Sequence, residues 1–263
     1  MKTLRISMFM AAIILNACGG PSNGSNAMPA ADNAALTPHV TAKKFTWVSN
    51  TGSAGQTVGA KCPAGFRLIG GASSSVDGSA VGIGWPKPVT NTWYVQPSSK
   101  SVRAIAIASC VNNSVARSTF KWVANPSGGG VATVQCPNGF VLITGFAKIT
   151  AQGQQIGKTY VKGTNAFFVT GGAAAGASCG KGAAGIATFT KWNSSLNPKQ
   201  VYSPCGTGFS VIGGNTGSSL WPGPPVQQHR GSSTPGAVSS AGWWVFSGGE
   251  NVVSYAVCVP NGT

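Results

Sequence analysis

The sequence predicts an all-β protein made of three homologous, disulfide-stapled modules of antiparallel strands. One observation is a pattern that occurs three times, in which an aromatic segment precedes a first cysteine, an apolar run, a second aromatic segment and a second cysteine. Another is the short length of the apolar segments, which are rich in Val, Ile and aromatic residues and are separated by Gly, Pro, Ser and Asn. Outside the amino terminus, no stretch shows the long 3.6-residue periodicity of a helix.

The three copies define the domain boundaries, which we place at 43–117 for module 1, 118–187 for module 2 and 188–263 for module 3. First and second cysteines are 48, 43 and 53 residues apart, so the variable part lies between them. Each module is expected to hold a small sheet of four or five strands. The tryptophans of the first aromatic segment, Trp47, Trp122 and Trp192, are expected in the core. The modules could pack compactly about a pseudo-threefold axis or follow one another like beads on a string, and the short junctions between them favour compact packing.

The turn after the first cysteine is predicted by Pro63 and Gly65, because proline starts a tight turn and glycine supplies the positive φ that such a turn needs. The apolar run that follows ends in Gly70 and Gly71. Two adjacent glycines in a strand indicate a bulge or a close approach of the backbone to another group.

The amino terminus has the layout of an export signal, with Lys2 and Arg5 before an apolar run from Ile6 to Leu15. Ten helical residues rise about 15 Å, which is half of a hydrocarbon core of about 30 Å, so the run is too short for a permanent span. The segment Leu15 to Cys18 resembles the lipobox of bacterial lipoproteins. This resemblance implies a signal peptide over 1–17, lipidation of Cys18, and a flexible tether over 18–42. Because Gly19 stands where an aspartate would retain a Gram-negative lipoprotein in the inner membrane, the resemblance also implies the outer membrane.

Six cysteines remain after Cys18, and an even number in an exported protein predicts three disulfides. Repeat symmetry favours bridges within modules, and bridges between successive modules respect the repeat as well. The first pattern is Cys62–Cys110, Cys136–Cys179 and Cys205–Cys258, and the second is Cys110–Cys136, Cys179–Cys205 and Cys62–Cys258. No cluster of histidines or carboxylates accompanies these cysteines, so no metal site is predicted.

The turn motif itself, Cys-Pro-x-Gly-Phe at Cys62 and Cys136, resembles tandem modules of bacterial secreted, surface and pilus-tip proteins. The resemblance covers about residues 45 to 259, and the third copy departs from it with Gly206 in place of proline. It implies the fold and an extracytoplasmic location, and it carries no shared activity.

The scarcity of acids argues against an enzyme. Asp32, Asp77 and Glu250 are the only carboxylic side chains, beside two histidines, His39 and His229. A serine triad needs a base and an orienting acid, and a glycosidase needs two carboxyl groups. Neither Asp77 nor Glu250 recurs in another module. His229 and Glu250 are interpreted as two exposed turn residues, and the alternative is that these two side chains meet in module 3. We expect a non-enzymatic protein without a cofactor.

The charge predicts an anionic partner. From Lys43 onward there are sixteen Lys and Arg against two acids, a net charge of +14. A surface of this sign attracts anionic polysaccharide, lipopolysaccharide or nucleic acid, and salt weakens the attraction. The alternative is that the charge only maintains solubility in its environment.

The candidate ligand-binding residues are Trp85, Lys87, Trp221 and Arg230. Both tryptophans precede proline in the variable regions of modules 1 and 3, where a stiff loop could present a ring for stacking on a sugar or a base; the alternative is a tryptophan lid over the core.

We therefore expect a lipid-anchored envelope protein that binds an anionic polymer or another envelope protein. The alternatives are a surface adhesin or lectin, and a lipoprotein that contacts DNA or a secretion or conjugation assembly.

Replacement of the lipobox cysteine tests the anchor. The Cys18→Ala variant is expected to leave the membrane fraction or to accumulate as an unprocessed precursor, because no acyl chain can be attached to alanine. Cell fractionation and electrophoretic migration measure both outcomes. A variant that fractionates and migrates like the wild type would contradict the lipoprotein interpretation.

Overall fold

The computed structural model describes residues 41–76, 81–126, 130–149, 156, 159–182, 189–195, 200–218, 227–231, 242–246 and 252–261. About two thirds of these residues lie in strands, and three single turns of 3-10 helix occur at Ala42–Lys44, Pro88–Thr90 and Arg117–Thr119. The predicted signal peptide and Cys18 lie outside the described residues.

Each module contributes six strands. Module 1 holds β1 (Phe45–Thr51), β2 (Val58–Lys61), β3 (Phe66–Ser75), β4 (Val81–Lys87), β5 (Thr92–Pro97) and β6 (Ala104–Asn112). Module 2 holds β7 (Phe120–Asn125), β8 (Val131–Gln135), β9 (Phe140–Lys148), β10 (Thr159–Lys162), β11 (Ala166–Thr170) and β12 (Ala174–Lys181). Module 3 holds β13 (Phe189–Ser195), β14 (Gln200–Pro204), β15 (Phe209–Ser218), β16 (Gln227–Gly231), β17 (Gly242–Phe246) and β18 (Val252–Pro260).

The strands of each module form two antiparallel sheets with the same topology. In module 1 the inner three strands have the order β1-β6-β3 and the outer three the order β2-β5-β4, and modules 2 and 3 repeat both orders. The inner strands of module 1 and the outer strands of module 3 are joined in one six-stranded sheet, because β16 pairs with β3 at Gln228 and Ser73. The all-β, three-module prediction is therefore confirmed, with six strands in each module instead of four or five. The additional strands are short or rich in Gly and Pro, such as Val58–Lys61, and so lack a clear alternation of apolar residues.

The three disulfides lie within the modules, as Cys62–Cys110, Cys136–Cys179 and Cys205–Cys258. Their Cα atoms are 5.6 to 5.7 Å apart, which is ordinary geometry for a disulfide. The alternative pattern between modules is thus wrong. The turn that follows each first cysteine forms as predicted, because Gly65, Gly139 and Gly208 all have φ near +80°.

The two adjacent glycines predicted a bulge or a close approach of the backbone to another group, and the structure shows both features. The register with the central strand of the inner sheet shifts by one residue at Ile69, Ile143 and Ile212, so each isoleucine is a buried β-bulge residue. The glycine two positions later lies directly under a ring of the outer sheet. A Cβ atom at Gly71 or Gly214 would overlap the indole of Trp93 or Trp243, and one at Gly145 would overlap the phenyl ring of Phe167.

These three rings are the centre of the modules, since each is almost completely buried between its two sheets and beside its disulfide. The tryptophans predicted as core lie elsewhere. Trp47 and Trp122 are half-buried at contacts between modules, and the Trp47 Nε1 donates a hydrogen bond to the carbonyl of Val211 in module 3. The side chain of Trp192 lies outside the described part.

A cycle of hydrogen bonds joins the modules at their bulges. The Ser109 hydroxyl of module 1 donates to the Ile212 carbonyl of module 3, and the Ser178 hydroxyl of module 2 donates to the Ile69 carbonyl of module 1. At the equivalent position module 3 has Val257, which cannot donate. The Asn215 amide of module 3 instead donates to the Ile143 carbonyl of module 2, at 3.3 Å.

The cycle surrounds a pseudo-threefold axis. Gly70, Thr144 and Gly213 occupy equivalent positions, and a Cβ atom at either glycine would lie 2.5 or 3.1 Å from the Thr144 Oγ1 atom. At one end of this axis the rings of Phe45 and Phe120 meet edge to face, with centroids 6.2 Å apart. The modules therefore pack compactly about an axis and do not hang as beads.

A matched pair of glycine variants tests the packing of ring on glycine. Gly145→Ala is expected to lower the free energy of unfolding by about 3 kcal/mol, because the methyl group overlaps the Phe167 ring in a filled core. Gly182→Ala is the control, since the nearest atom to its Cβ would be the Gly139 carbonyl oxygen at 3.4 Å. Urea unfolding of the oxidised proteins measures both values. Equal stability of the two variants would contradict the packing.

Candidate functional site

Trp85 lies in strand β4 and not in a loop, which corrects the sequence-based expectation. The strand is at the edge of the outer sheet of module 1, and Trp85 pairs with Tyr94 of β5. An edge position explains how Pro86 can follow it, because a proline there removes no hydrogen bond from the interior of a sheet. Trp85 is therefore held by a strand ladder at a defined position.

Trp85 and Tyr94 form a pair of stacked rings on the outer face of the sheet. Their centroids are 5.9 Å apart and their planes are inclined by 20°. Trp93 and Val95 on either side of Tyr94 are buried in the core, so Tyr94 points to the opposite face, where it is half-buried. On its other side the Tyr94 ring passes close to Gly59, where a Cβ atom would lie 2.9 Å from Cε1. Because Gly59 has no side chain, β2 places no side chain against the Tyr94 ring at this position.

Two lysines border this aromatic surface. Lys61 of β2 and Lys87 of β4 both pair with Thr92 of β5, two residues before Tyr94, and both are exposed. Because strand residues two apart share a face, the lysines lie on the same face as the rings. We call the set of Trp85, Tyr94, Lys61 and Lys87 the aromatic platform.

Module 2 has an equivalent arrangement. Tyr160 of β10 stacks on Phe168 of β11, with centroids 4.6 Å apart and planes inclined by 6°. Lys162 is exposed at the position of Lys87, and Gln135 replaces Lys61. Module 2 therefore carries an aromatic pair with one bordering lysine.

In module 3 the backbone register aligns His229 of β16 with Trp244 of β17, at the positions of Trp85 and Tyr94. His229 thus occupies a strand position, whereas the sequence predicted an exposed turn. The structural equivalent of Trp85 in module 3 is therefore His229, and Trp221 lies outside the described residues. Arg230 follows His229 in β16 and pairs with Trp243. It belongs to module 3, whereas Trp85 and Lys87 belong to module 1.

Sequence reasoning missed Tyr94, Phe168 and Lys61. The signal was present in the paired aromatic residues Trp93-Tyr94 and Phe167-Phe168, because adjacent residues of a strand face opposite sides and only one ring of each pair can enter the core. Lys61 carried no comparable signal, since only the strand register places it opposite Thr92.

The cations are concentrated at one end of the molecule, which we call the basic end. At this end β1, β3, β7 and β9 begin. The turn that follows β4 packs against β3, where the Asn91 amide donates to the Phe66 carbonyl. The turn that follows β10 packs against β9, where the Leu142 N–H donates to the Thr164 carbonyl. Nine of the Lys and Arg side chains that the structure describes lie at this end, against three at the other. The nine are Lys43, Lys44, Lys61, Arg67, Lys87, Arg117, Lys121, Lys162 and Lys181, and the three are Lys100, Arg103 and Lys148.

Arg67 is the most enclosed cation of the basic end. Its Nη2 atom donates to the carbonyls of Val115 and Ala116, at 2.7 and 2.8 Å, and its guanidinium lies 5.9 Å from the centre of the Phe120 ring. Burial, and then the nearby positive charge of Arg117, lower the pKa of Arg67. No Asp or Glu lies within the described ranges to balance these charges.

The described residues contain no group of His, Cys, Asp and Glu side chains that could hold a metal ion. Within the same residues no helix has the length and apolar character needed to cross a membrane. Comparison of the sequence with protein-family models finds no matching family, and comparison with curated proteins finds no match.

Two tryptophan variants distinguish the surface ring from the core ring. Trp85→Ala is expected to lower the free energy of unfolding by about 1 kcal/mol, the order of one aromatic pair at a surface. Trp93→Ala, in which a buried ring is removed, is expected to cost about 3–5 kcal/mol. Denaturant unfolding measures both. A loss for Trp85→Ala as large as that for Trp93→Ala would identify Trp85 as a lid over the core.

Proposed function

We propose that this protein is a non-enzymatic, lipid-anchored component of the bacterial outer membrane that binds an anionic envelope polysaccharide. The observation that carries the proposal is the aromatic platform, in which the stacked rings of Trp85 and Tyr94 share one face of the sheet with the exposed residues Lys61 and Lys87. The lipid anchor rests on the lipobox resemblance at Cys18.

The two parts of the platform suit the two parts of an acidic sugar. The flat apolar face of a pyranose ring can stack on an indole or phenol ring, which combines an apolar surface with a polar edge. A carboxylate or phosphate substituent then accepts charge-assisted hydrogen bonds from the lysines, which are stronger than neutral ones. Because both rings are held by paired strands, little conformational entropy is lost when the ligand stacks on them.

Repetition of the platform favours a polymer over a small ligand. Tyr160, Phe168 and Lys162 offer a second, weaker site on the neighbouring module. When one chain occupies both sites, the second contact is intramolecular, and the overall affinity exceeds that of either site. The general excess of positive charge adds long-range attraction for the same polymer.

The platform is tested with a uronic-acid polysaccharide and a neutral polysaccharide of similar length. Trp85→Ala is expected to weaken binding to the acidic polymer by about tenfold, the order of one stacking contact. Lys61→Gln with Lys87→Gln is expected to weaken it by a similar factor and to reduce its salt dependence between about 50 and 200 mM. Binding is measured by calorimetry or by retention on the immobilised polymers.

The matched control is Lys100→Gln with Arg103→Gln, which removes the same charge at the opposite end of module 1. This control is expected to bind nearly as the wild type does. Equal losses in both double variants would show that net charge alone attracts the polymer. Salt-independent binding to the neutral polysaccharide that is lost in Trp85→Ala would identify a lectin, and preferred binding of duplex DNA would favour the nucleic-acid alternative.

A further inference from the structure

The basic end is also the end at which the chain enters the fold. The 3-10 turn Ala42–Lys44 leads directly into Phe45, whose ring meets that of Phe120 beside the pseudo-threefold axis. All residues that precede Thr41, including Cys18, are therefore joined to the folded part on this side. A lipid anchor attached through them would tether the protein from the basic end and keep this end within reach of the membrane.

The cations around this point have no acidic partners among the described residues. Arg117 is exposed in the short turn before Phe120, and Arg67 is fixed beside it through the Val115 and Ala116 carbonyls. The Nζ atom of Lys121 lies 4.9 Å from the centre of the Phe140 ring, and Lys181 ends the strand that pairs with Phe140. Uncompensated like charges that are held this close repel one another, and an anion placed among them relieves the repulsion.

We infer that the basic end is a membrane-docking surface, on which Arg67, Arg117, Lys121 and Lys181 bind the phosphate groups of anionic lipids. The inference rests on the proposed lipid anchor for the membrane that it names. Arginine suits this role because its planar guanidinium forms paired hydrogen bonds with phosphate oxygens. Docking at this surface turns the opposite end of the molecule, with Lys100, Arg103 and Lys148, away from the membrane.

The test measures how the full chain partitions between buffer and vesicles. One set of vesicles is neutral phosphatidylcholine, and the other contains a fraction of anionic phosphatidylglycerol. Binding to the neutral vesicles reports the anchor, whereas the ratio of anionic to neutral binding reports the basic end. A failed anchor and a failed docking surface are therefore distinguishable.

The decisive variant is Arg117→Gln with Lys181→Gln, because both side chains are exposed. It is expected to lower the anionic-to-neutral ratio at about 50 mM salt by at least about tenfold, at roughly fivefold for each cation removed. The control Lys100→Gln with Arg103→Gln, with the same change in charge, is expected to lower it by less than about twofold.

Equal reductions in the two double variants would overturn the inference, because they would reflect net charge and not this surface. A wild-type ratio near one would overturn it as well. Loss of duplex DNA binding in Arg117→Gln with Lys181→Gln, with an unchanged vesicle ratio, would assign the surface to nucleic acid and would overturn docking to lipid.

Discussion

The structure depends on a hydrogen bond that each module provides for the bulge of another. The carbonyls of Ile69, Ile143 and Ile212 are buried near the axis, where an unpaired carbonyl would cost about 1–3 kcal/mol. Ser178, Asn215 and Ser109 satisfy them in turn, always from a different module. The three modules therefore complete one another, and Asn215 supplies from another position the hydrogen bond that Val257 cannot donate.

The second constraint is the small distance between the two layers of strands in each module, because the central ring of the outer strands lies against the backbone of the inner strands. Gly71, Gly145 and Gly214 leave room for the central ring of their modules, and the outer sheet can approach the inner sheet only because these positions lack a side chain. The same closeness turns the next residue of β5 and β11 outward as an aromatic ring. The platform is thus a direct result of how the core is filled, since adjacent strand residues must face opposite sides.

Much of the fold was predictable because it is local and repeated. The turn glycines and the bulge follow from short motifs that recur in register, and the same repeat favoured cysteine pairs within modules over the alternative between modules. All three features are present in the structure. The candidate site was predicted only in part, as Trp85 and Lys87. Its other members, Tyr94 and Lys61, depend on strand register, and Trp85 was assigned to a loop because Gly and Pro obscured strand β4. The segregation of cations depends on the direction in which each strand runs, which composition does not contain.

The contacts between modules are all head-to-tail, as the bonds from Ser109, Ser178 and Asn215 illustrate. Contacts of this kind close into a ring when the rotation between copies permits, and otherwise generate open filaments. Here three fused copies complete the circle, so the bonds between modules in the described part of the chain form a closed cycle within one polypeptide. A chain truncated by one module would expose two complementary surfaces and would be prone to exchange modules with its neighbours.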